Sequence, residues 1–377
     1  MEATRPENIR RIIVRGTNWV GDVMMTLPAL RELRRLFPDA HITLATRSWA
    51  RGLFFGAEFI DELQIQDGRG IRSFFQQLRG WRKGRFDLAV LLTNSFESAL
   101  VAALAGIPAR IGYASDGRGR LLTHAIELPE WRSTRHEIFY YLRIVAELEW
   151  LVARQQTFLE VQPNASLEVS ERRTDEARYF LRRQGVTEDR LVIALCPGSI
   201  NSRAKRWPAE SYAVLADRFV DTLGGQILLV GSQQELDVSQ HVVRRMHNKP
   251  LFLTGKTDIA QLVGILGLCD LLVTNDTGPA HIAAALGRPT LVIFGPTNPL
   301  TTRPFSPYAE IIRQPPECAP CMLRDCPIDH RCMTAITPDQ VFAQAQALLS
   351  NERPLGPCEH WQSSRAEIDK LKETLIK

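Results

Sequence analysis

The sequence lacks a long apolar run, a strong charge of either sign and a dense set of cysteines. No stretch approaches the roughly 18 apolar residues that a membrane-spanning helix needs, and residues 1–11 contain no apolar signal-like segment. The 46 basic and 42 acidic residues leave a net charge of only +4, which argues against a nucleic-acid-binding protein. Seven cysteines among 377 residues are too few for a disulfide scaffold. These absences favour a cytoplasmic globular protein.

Three familiar site motifs are also missing. No G-x-x-x-x-G-K-[ST] phosphate loop is present, and no G-x-G-x-x-G follows a predicted strand. There is no serine-centred nucleophile elbow either. A P-loop nucleotidase, a nicotinamide-dependent enzyme and an α/β-hydrolase are therefore disfavoured.

What the sequence does contain is an alternation of apolar strands and amphipathic helices that repeats in two halves. Such alternation is typical of parallel α/β sheets. Strands that are apolar without interruption are buried on both faces. The fold class predicted is α/β, with two Rossmann-like doubly wound domains facing across a cleft. The predicted strands lie at 11–14, 42–45, 63–65, 88–92, 110–112, 191–195, 227–230, 271–273 and 291–294. A single helix is predicted over 234–246, after the strand at 227–230.

The polar stretch 155–170 is the best candidate for a linker because it contains Pro163 and Asn164. We therefore expect one domain at 1–165 and a second at 166–350. Residues 351–377 would form a tail with a helix that packs back on the first domain. Ligands of doubly wound sheets bind beyond the carboxyl ends of the strands, so the loops that follow strands are the candidate sites.

The loop after the first strand places Asp22 near the start of a helix. Two interpretations stay open for this residue. Asp22 could cap the helix by accepting a hydrogen bond from a free backbone amide. It could instead be a general base that takes a proton from an attacking hydroxyl. Pro28, a few residues later, predicts either a kink or the true start of the helix.

Two loops of the second half are typical of a phosphate site. Residues 197–208 combine glycine and hydroxyls with cations that include Lys205. Residues 275–281 follow a strand and open a helix, whose free amides and dipole favour an anion such as a diphosphate. A solvated loop and a core histidine at His281 are the plainer alternatives. Glu235 would either lie near a ribose or be an exposed residue at a helix start, and 295–299 would form a turn beside the ligand.

Together these segments resemble the ADP-heptose:lipopolysaccharide heptosyltransferases of glycosyltransferase family 9, and the type II branch in particular. The resemblance extends from about residue 11 to residue 349. The segments that carry it are Asn-Trp-Val-Gly-Asp at 18–22, Pro-Gly at 197–198 with Ala-Lys-Arg-Trp-Pro at 204–208, and Asn-Asp-Thr-Gly-Pro-Ala-His at 275–281.

The resemblance implies a GT-B fold with an acceptor-binding first domain and a donor-binding second domain. It implies inverting transfer of L-glycero-D-manno-heptose from ADP-heptose to the first heptose of the lipopolysaccharide inner core, without a cofactor. Asp22 would then be the base, and Lys205 would hold the donor phosphates with Ser202 nearby. The diphosphate would contact Thr277, Gly278 and His281, with Asp276 near the donor sugar and Glu235 also at the donor.

Four cysteines crowd into one short window: Cys318, Cys321, Cys326 and Cys332. The C-x2-C opening is typical of structural zinc sites. Free thiols and disulfides are the competing interpretations. Two other cysteines, Cys196 and Cys269, are expected in the core.

Other functions stay open at this point. Within the same class, the heptose position or the donor sugar could differ. From other classes, a UDP-sugar 2-epimerase shares the two-half architecture, and a non-catalytic nucleotide-binding module would need no base.

The expected partners are ADP-heptose and a heptosylated Kdo-lipid A acceptor of the Gram-negative cell envelope, with no nucleic acid. The whole excess of positive charge lies within residues 1–150. A solvated helix face is the default explanation for it. Attraction to the anionic inner face of the inner membrane is the alternative, which would make the protein peripheral there. The basic residues concerned are Arg69, Arg72, Arg79, Arg82, Lys83 and Arg85.

Overall fold

A computed structural model describes residues 9–155 and 162–350. The chain divides into two compact units, Met1–Ala165 and Ser166–Lys377. The tail at 351–377, with its expected helix, lies outside the described residues. Within the described part of the chain, no helix is both long enough and apolar enough to cross a bilayer.

Unit 1 is built on a six-stranded parallel sheet in the order β3-β2-β1-β4-β5-β6. Its strands are β1 (Arg11–Arg15), β2 (His41–Thr46), β3 (Glu62–Ile65), β4 (Leu88–Leu91), β5 (Ala109–Tyr113) and β6 (His124–Ile126). Its helices are α1 (Val20–Leu36), α2 (Arg51–Phe54), α3 (Gly70–Gly84), α4 (Phe96–Leu104) and α5 (Glu137–Ala153). The strand order reverses between β1 and β4, which is where a doubly wound sheet opens to ligand.

Unit 2 repeats this plan with the sheet order β12-β11-β10-β7-β8-β9, so that its reversal lies between β7 and β10. Its strands are β7 (Val192–Cys196), β8 (Gln226–Leu229), β9 (Leu251–Phe252), β10 (Leu271–Asn275), β11 (Thr290–Phe294) and β12 (Ala309–Arg313). Its helices are α6 (Glu171–Arg183), α7 (Ala209–Leu223), α8 (Leu236–Val243), α9 (Ile259–Leu266), α10 (Gly278–Ala285), α11 (Pro299–Thr302), α12 (Arg331–Thr334) and α13 (Pro338–Ser350).

The central strands are buried over their full length because helices cover both faces of each sheet. All five residues of β7, β10 and β11 are buried. In unit 2 the core joins these strands to Trp207, Phe219 and Phe342. Burial of so much apolar surface, at about 25 cal/mol per Å², is the main force that holds each sheet to its helices.

Three local predictions differ from the structure. Pro28 does not mark the start of α1, which begins eight residues earlier at Val20 and continues through the proline. The single helix expected over 234–246 is a 3-10 turn at Gln233–Glu235 followed by α8, and the Glu235 side chain accepts from the Ser232 N–H where the turn begins. The strands β6, β9 and β12 were not predicted, because these edge strands are less buried and carry weaker apolar patterns.

Candidate functional site

The reversal point of unit 2 brings together two of the loops predicted from the sequence. Strands β7 and β10 pair in parallel, with Cys196 beside Thr274, so the chain leaves both strands at the same edge of the sheet. The segments that follow, 197–199 and 276–278, are therefore neighbours. Ligands of open α/β sheets bind at such a point.

Asn275 fixes these two loops to each other. Its buried side-chain amide donates to the carbonyls of Pro197 at 2.8 Å and Gly198 at 3.0 Å. Its Oδ1 accepts from the backbone N–H of Trp207 at 3.0 Å and from the hydroxyl of Tyr212 at 3.1 Å. A buried amide with every group satisfied rigidifies its surroundings. This role was not predicted, although an asparagine that ends an apolar strand needs such partners.

Lys205, Asp276 and Thr297 form a polar cluster beside this hub. The Lys205 Nζ donates to Asp276 Oδ2 at 2.7 Å, and its distance to the Asp276 carbonyl is 3.3 Å. The Thr297 hydroxyl donates to the same Oδ2 at 2.7 Å. Asp276 is only 5% exposed, whereas Lys205 is 21% exposed. An ammonium has three N–H donors, so Lys205 keeps one for an anion while Asp276 holds it in place.

The start of α10 lies directly after this cluster. Thr277 is the N-cap residue, but its side chain makes no cap hydrogen bond, and its hydroxyl lies 3.2 Å from that of Thr274 instead. Gly278 is the first helical residue, and Pro279 has no N–H that would need a partner. The N-terminal amides and the positive end of the helix dipole favour an anion at this place.

His281 lies one turn into α10 and is buried. Burial lowers the pKa of its imidazole from 6.5 to about 4, an effect that Asp276 opposes and Lys205 reinforces. The ring is therefore neutral at pH 7. A neutral imidazole offers one donor and one acceptor without repelling Lys205.

Glu235 and Ser202 lie near the predicted donor loop, and neighbouring groups already hold both. Glu235 is buried, so the exposed helix-start alternative is wrong; its Oε2 accepts from the Ser232 N–H at 2.7 Å. A Cβ at Gly198 would lie 2.2 Å from the Glu235 Oε1, so any larger residue there would displace the Glu235 side chain. The Ser202 hydroxyl lies 3.2 Å and 3.1 Å from the carbonyls of Leu323 and Arg324. The Ser202 hydroxyl therefore attaches the Lys205 loop to the backbone of the cysteine-rich segment, residues 318–332.

The cysteine-rich segment supports the Lys205 loop. The Arg324 carbonyl accepts from the Ala204 N–H at 2.9 Å, and His330 Nε2 lies 2.6 Å from the Ala204 carbonyl. Within residues 9–155 and 162–350, no group of three or more His, Cys, Asp or Glu side chains could hold a metal ion, so the zinc interpretation gains no support. The six cysteines described are free thiols. Cys196 and Cys269 are core residues, as predicted.

In unit 1, Asp22 is the third residue of α1 and is half-buried. The N-cap position belongs to Trp19, so the interpretation of Asp22 as the N-cap residue is wrong. α5 packs against α1 and begins with Glu137. Burial raises the pKa of Glu137 to about 7; Arg132 opposes the shift and Asp22 adds to it. Glu137 was not predicted as a site residue, because the sequence gives it only as one residue near a helix start.

The loop after β4 lies on the other side of the unit 1 reversal point. The fully buried Arg118 donates from Nε to the Tyr113 carbonyl at 2.8 Å and from a terminal nitrogen to Asn94 Oδ1 at 3.3 Å. Asn94 in turn donates to the Tyr140 hydroxyl at 2.8 Å. One buried guanidinium therefore holds the loop that follows β4 against α5.

Two doubly wound α/β units, each with polar side chains at its reversal point, are typical of the two-domain α/β glycosyltransferases. The solved structure of Escherichia coli ADP-heptose LPS heptosyltransferase II shares this fold with a TM-score of 0.77 and 30% identity, covering 90% of this chain and 98% of that one. The model of glycosyltransferase family 9 (heptosyltransferase) matches residues 71–331. The chain belongs to this family, and its predicted GT-B fold class and enzyme class are confirmed.

Curated relatives agree with this assignment. Lipopolysaccharide heptosyltransferase 2 of Escherichia coli (strain K12) is 30% identical over 353 residues, which are 91% of this chain and 99% of the relative. The protein of the same name from Salmonella typhimurium is 31% identical over 359 residues, with the same coverage. The resemblance to the type II branch is therefore confirmed.

Proposed function

We propose that this enzyme transfers L-glycero-D-manno-heptose from ADP-heptose to the first heptose of the lipopolysaccharide inner core, with inversion and release of ADP. The names of its relatives support this donor and product class. The observation that carries the proposal is the Lys205–Asp276–Thr297 cluster beside the start of α10. Membership in a glycosyltransferase family favours this function over a 2-epimerase or a non-catalytic nucleotide-binding module.

Unit 2 is the proposed donor domain. The free N–H of Lys205 and the amides at Thr277 and Gly278 would hold the diphosphate, and neutral His281 would add a hydrogen bond. Asp276 would lie near the donor sugar, with Glu235 and Ser202 shaping the loops around it. As the bond from the anomeric carbon to the diphosphate breaks, negative charge grows on the departing ADP, and these donors stabilise it.

Unit 1 is the proposed acceptor domain. Asp22 takes the proton of the acceptor hydroxyl as the acceptor oxygen attacks the anomeric carbon from the face opposite ADP. The new glycosidic bond forms while the bond to ADP breaks, so the configuration inverts. Glu137 beside Asp22 holds a proton up to about pH 7. Below that pH, Glu137 therefore places no second negative charge next to Asp22.

Asp22→Asn tests this function. Removing the base while keeping the shape should lower turnover of ADP-heptose with a heptosylated acceptor by about 10²- to 10⁴-fold. ADP binding, measured by calorimetry, should stay within about twofold, because the diphosphate is assigned to unit 2. Asp39→Asn, an exposed carboxylate of the same unit, is the matched control and should behave as the wild type. Turnover of Asp22→Asn within a few-fold of the wild type would eliminate Asp22 as the base.

We also propose that unit 1 touches the anionic membrane surface that holds the acceptor. Helix α3 supports this, because all six basic residues considered, Arg69 to Arg85, are exposed along it or at its ends. Ile71 and Phe75, one turn apart on the same helix, are 70% and 50% exposed. Apolar side chains among cations are typical of helices that lie in a membrane interface.

A further inference from the structure

Two arginines meet at the carboxyl edge of the unit 1 sheet. Arg15 is the last residue of β1, and Arg47 follows β2. A terminal nitrogen of Arg15 and the Nε of Arg47 each donate to Asn18 Oδ1 at 3.1 Å. Arg47 also donates to the Gln66 carbonyl at 2.8 Å. One oxygen atom therefore accepts from two guanidinium groups, the arrangement that a single carboxylate or phosphate oxygen adopts between two arginines.

The positive charge of this pair is poorly compensated. Burial and the neighbouring charge of Arg47 together lower the pKa of Arg15 to about 10, while Glu97 partly opposes the shift. Asp67 feels the charge of Arg47, but its own oxygen accepts from the Ser48 N–H at 2.9 Å. Among residues 9–155, neither arginine forms an ion pair within 4 Å. Two adjacent like charges that are partly shielded from water repel each other unless an anion joins them.

The surroundings of the pair suit a sugar. Trp19, next to the bridging Asn18, is 51% exposed, and an exposed indole can stack on a sugar face. The Thr17 hydroxyl and the Gln66 side-chain amide are buried without a hydrogen-bond partner in the described residues. The same loop continues into α1 and Asp22, and β1 borders the reversal point of the sheet.

We propose that Arg15 and Arg47 form an anion site that binds a carboxylate or phosphate group of the sugar acceptor, with Trp19 against the sugar ring. This inference rests on the proposed function and adds a group that recognises the acceptor. The anionic oxygen takes the place between the guanidiniums that Asn18 Oδ1 now occupies. Binding there brings the acceptor to the loop that leads to Asp22.

The test uses the full chain and steady-state kinetics with saturating ADP-heptose. Arg47→Gln should raise the acceptor KM at least about tenfold and leave the donor KM unchanged, because one of two charge-assisted contacts is lost. Arg47→Lys should recover part of the loss, since a point charge replaces the planar group. Arg10→Gln, an exposed arginine just before β1 at the opposite edge of the sheet, is the matched control and should behave as the wild type.

Two further measurements distinguish a bound carboxylate from a bound phosphate, and the anion site from the proposed function. If the Arg47→Gln penalty persists with a dephosphorylated acceptor, a carboxylate is bound; if it disappears, a phosphate is bound. Independently of turnover, inorganic phosphate in saturating ADP should raise the melting temperature of the wild type and Arg10→Gln more than that of Arg47→Gln. That result without any heptose transfer would leave the anion site standing and overturn the proposed function. Equal acceptor KM and equal phosphate response in Arg47→Gln and the wild type would overturn the anion site.

Discussion

Single buried polar side chains set the geometry of the proposed donor site. Asn275 satisfies two carbonyls and two donors from three neighbouring segments, so its loss would leave several buried groups without partners. Asp276 is held by Lys205 and Thr297, and it faces the neutral ring of His281. The position of the Lys205 ammonium therefore depends on Asp276 and, through Asp276, on Thr297.

His281 should make the stability of the protein depend on pH. Its folded-state pKa of about 4 lies below the unfolded value of 6.5, so the unfolded chain binds the proton more tightly. Stability is therefore lost as the pH falls from about 6.5 towards 4, by up to roughly 3 kcal/mol if the full shift is expressed. Urea unfolding at several pH values, compared between the wild type and His281→Asn, measures this loss.

His281→Asn should flatten the pH dependence in that window while leaving the carboxylates to titrate as before. Replacement of the exposed His241 by asparagine is the matched control and should keep most of the slope. An identical slope in the wild type and His281→Asn would show that the ring is not kept neutral by burial.

At the scale of elements, the sequence predicts the regular, buried strands and the loops that follow them. The central strands were located to within two residues at either end, because continuous apolar runs leave few alternatives. The loops at 197–208 and 275–281 were also found, since Gly, Pro and hydroxyls mark strand ends. Three features depend on segments that are distant in the sequence: the contact of Thr297 with Asp276, the burial of Glu235, and the closeness of Arg15 to Arg47. Spacing along the chain contains no signal for such pairs.

Helix α3 should bind anionic vesicles. In low salt the protein should sediment with vesicles containing an anionic phospholipid, and binding should disappear near 0.5 M salt, where charges are screened within about 4 Å. Replacing Ile71 and Phe75 by serine should weaken binding about tenfold, because their apolar surface would otherwise enter the interface. Leu128→Ser, another exposed apolar residue of unit 1, is the control. Absence of binding at low salt would reject the membrane contact.

At the scale of the whole molecule, one topology serves two kinds of chemistry. Both sheets reverse beside their first strand, β1 in unit 1 and β7 in unit 2, so both present loops at equivalent edges. Unit 2 offers a lysine and helix amides at that edge, which suit a diphosphate. Unit 1 offers carboxylates, an exposed indole and two arginines, which suit a sugar hydroxyl and an acid group. The proposed division into a donor unit and an acceptor unit therefore rests on a few side chains.

Hydrogen exchange of the full chain tests this division of labour. ADP should slow amide exchange at 196–206 and 275–281, because a ligand bound to the folded state suppresses local opening where it binds. The segment 12–22 of unit 1 should keep its rate with ADP and slow only when an acceptor is added. Lys205→Ala should lose most of the ADP effect, whereas Lys249→Ala, an exposed lysine of the same unit, should retain it. Protection by ADP centred on 12–22 would reverse the assignment of donor and acceptor units, because a bound nucleotide protects the loops that hold its phosphates.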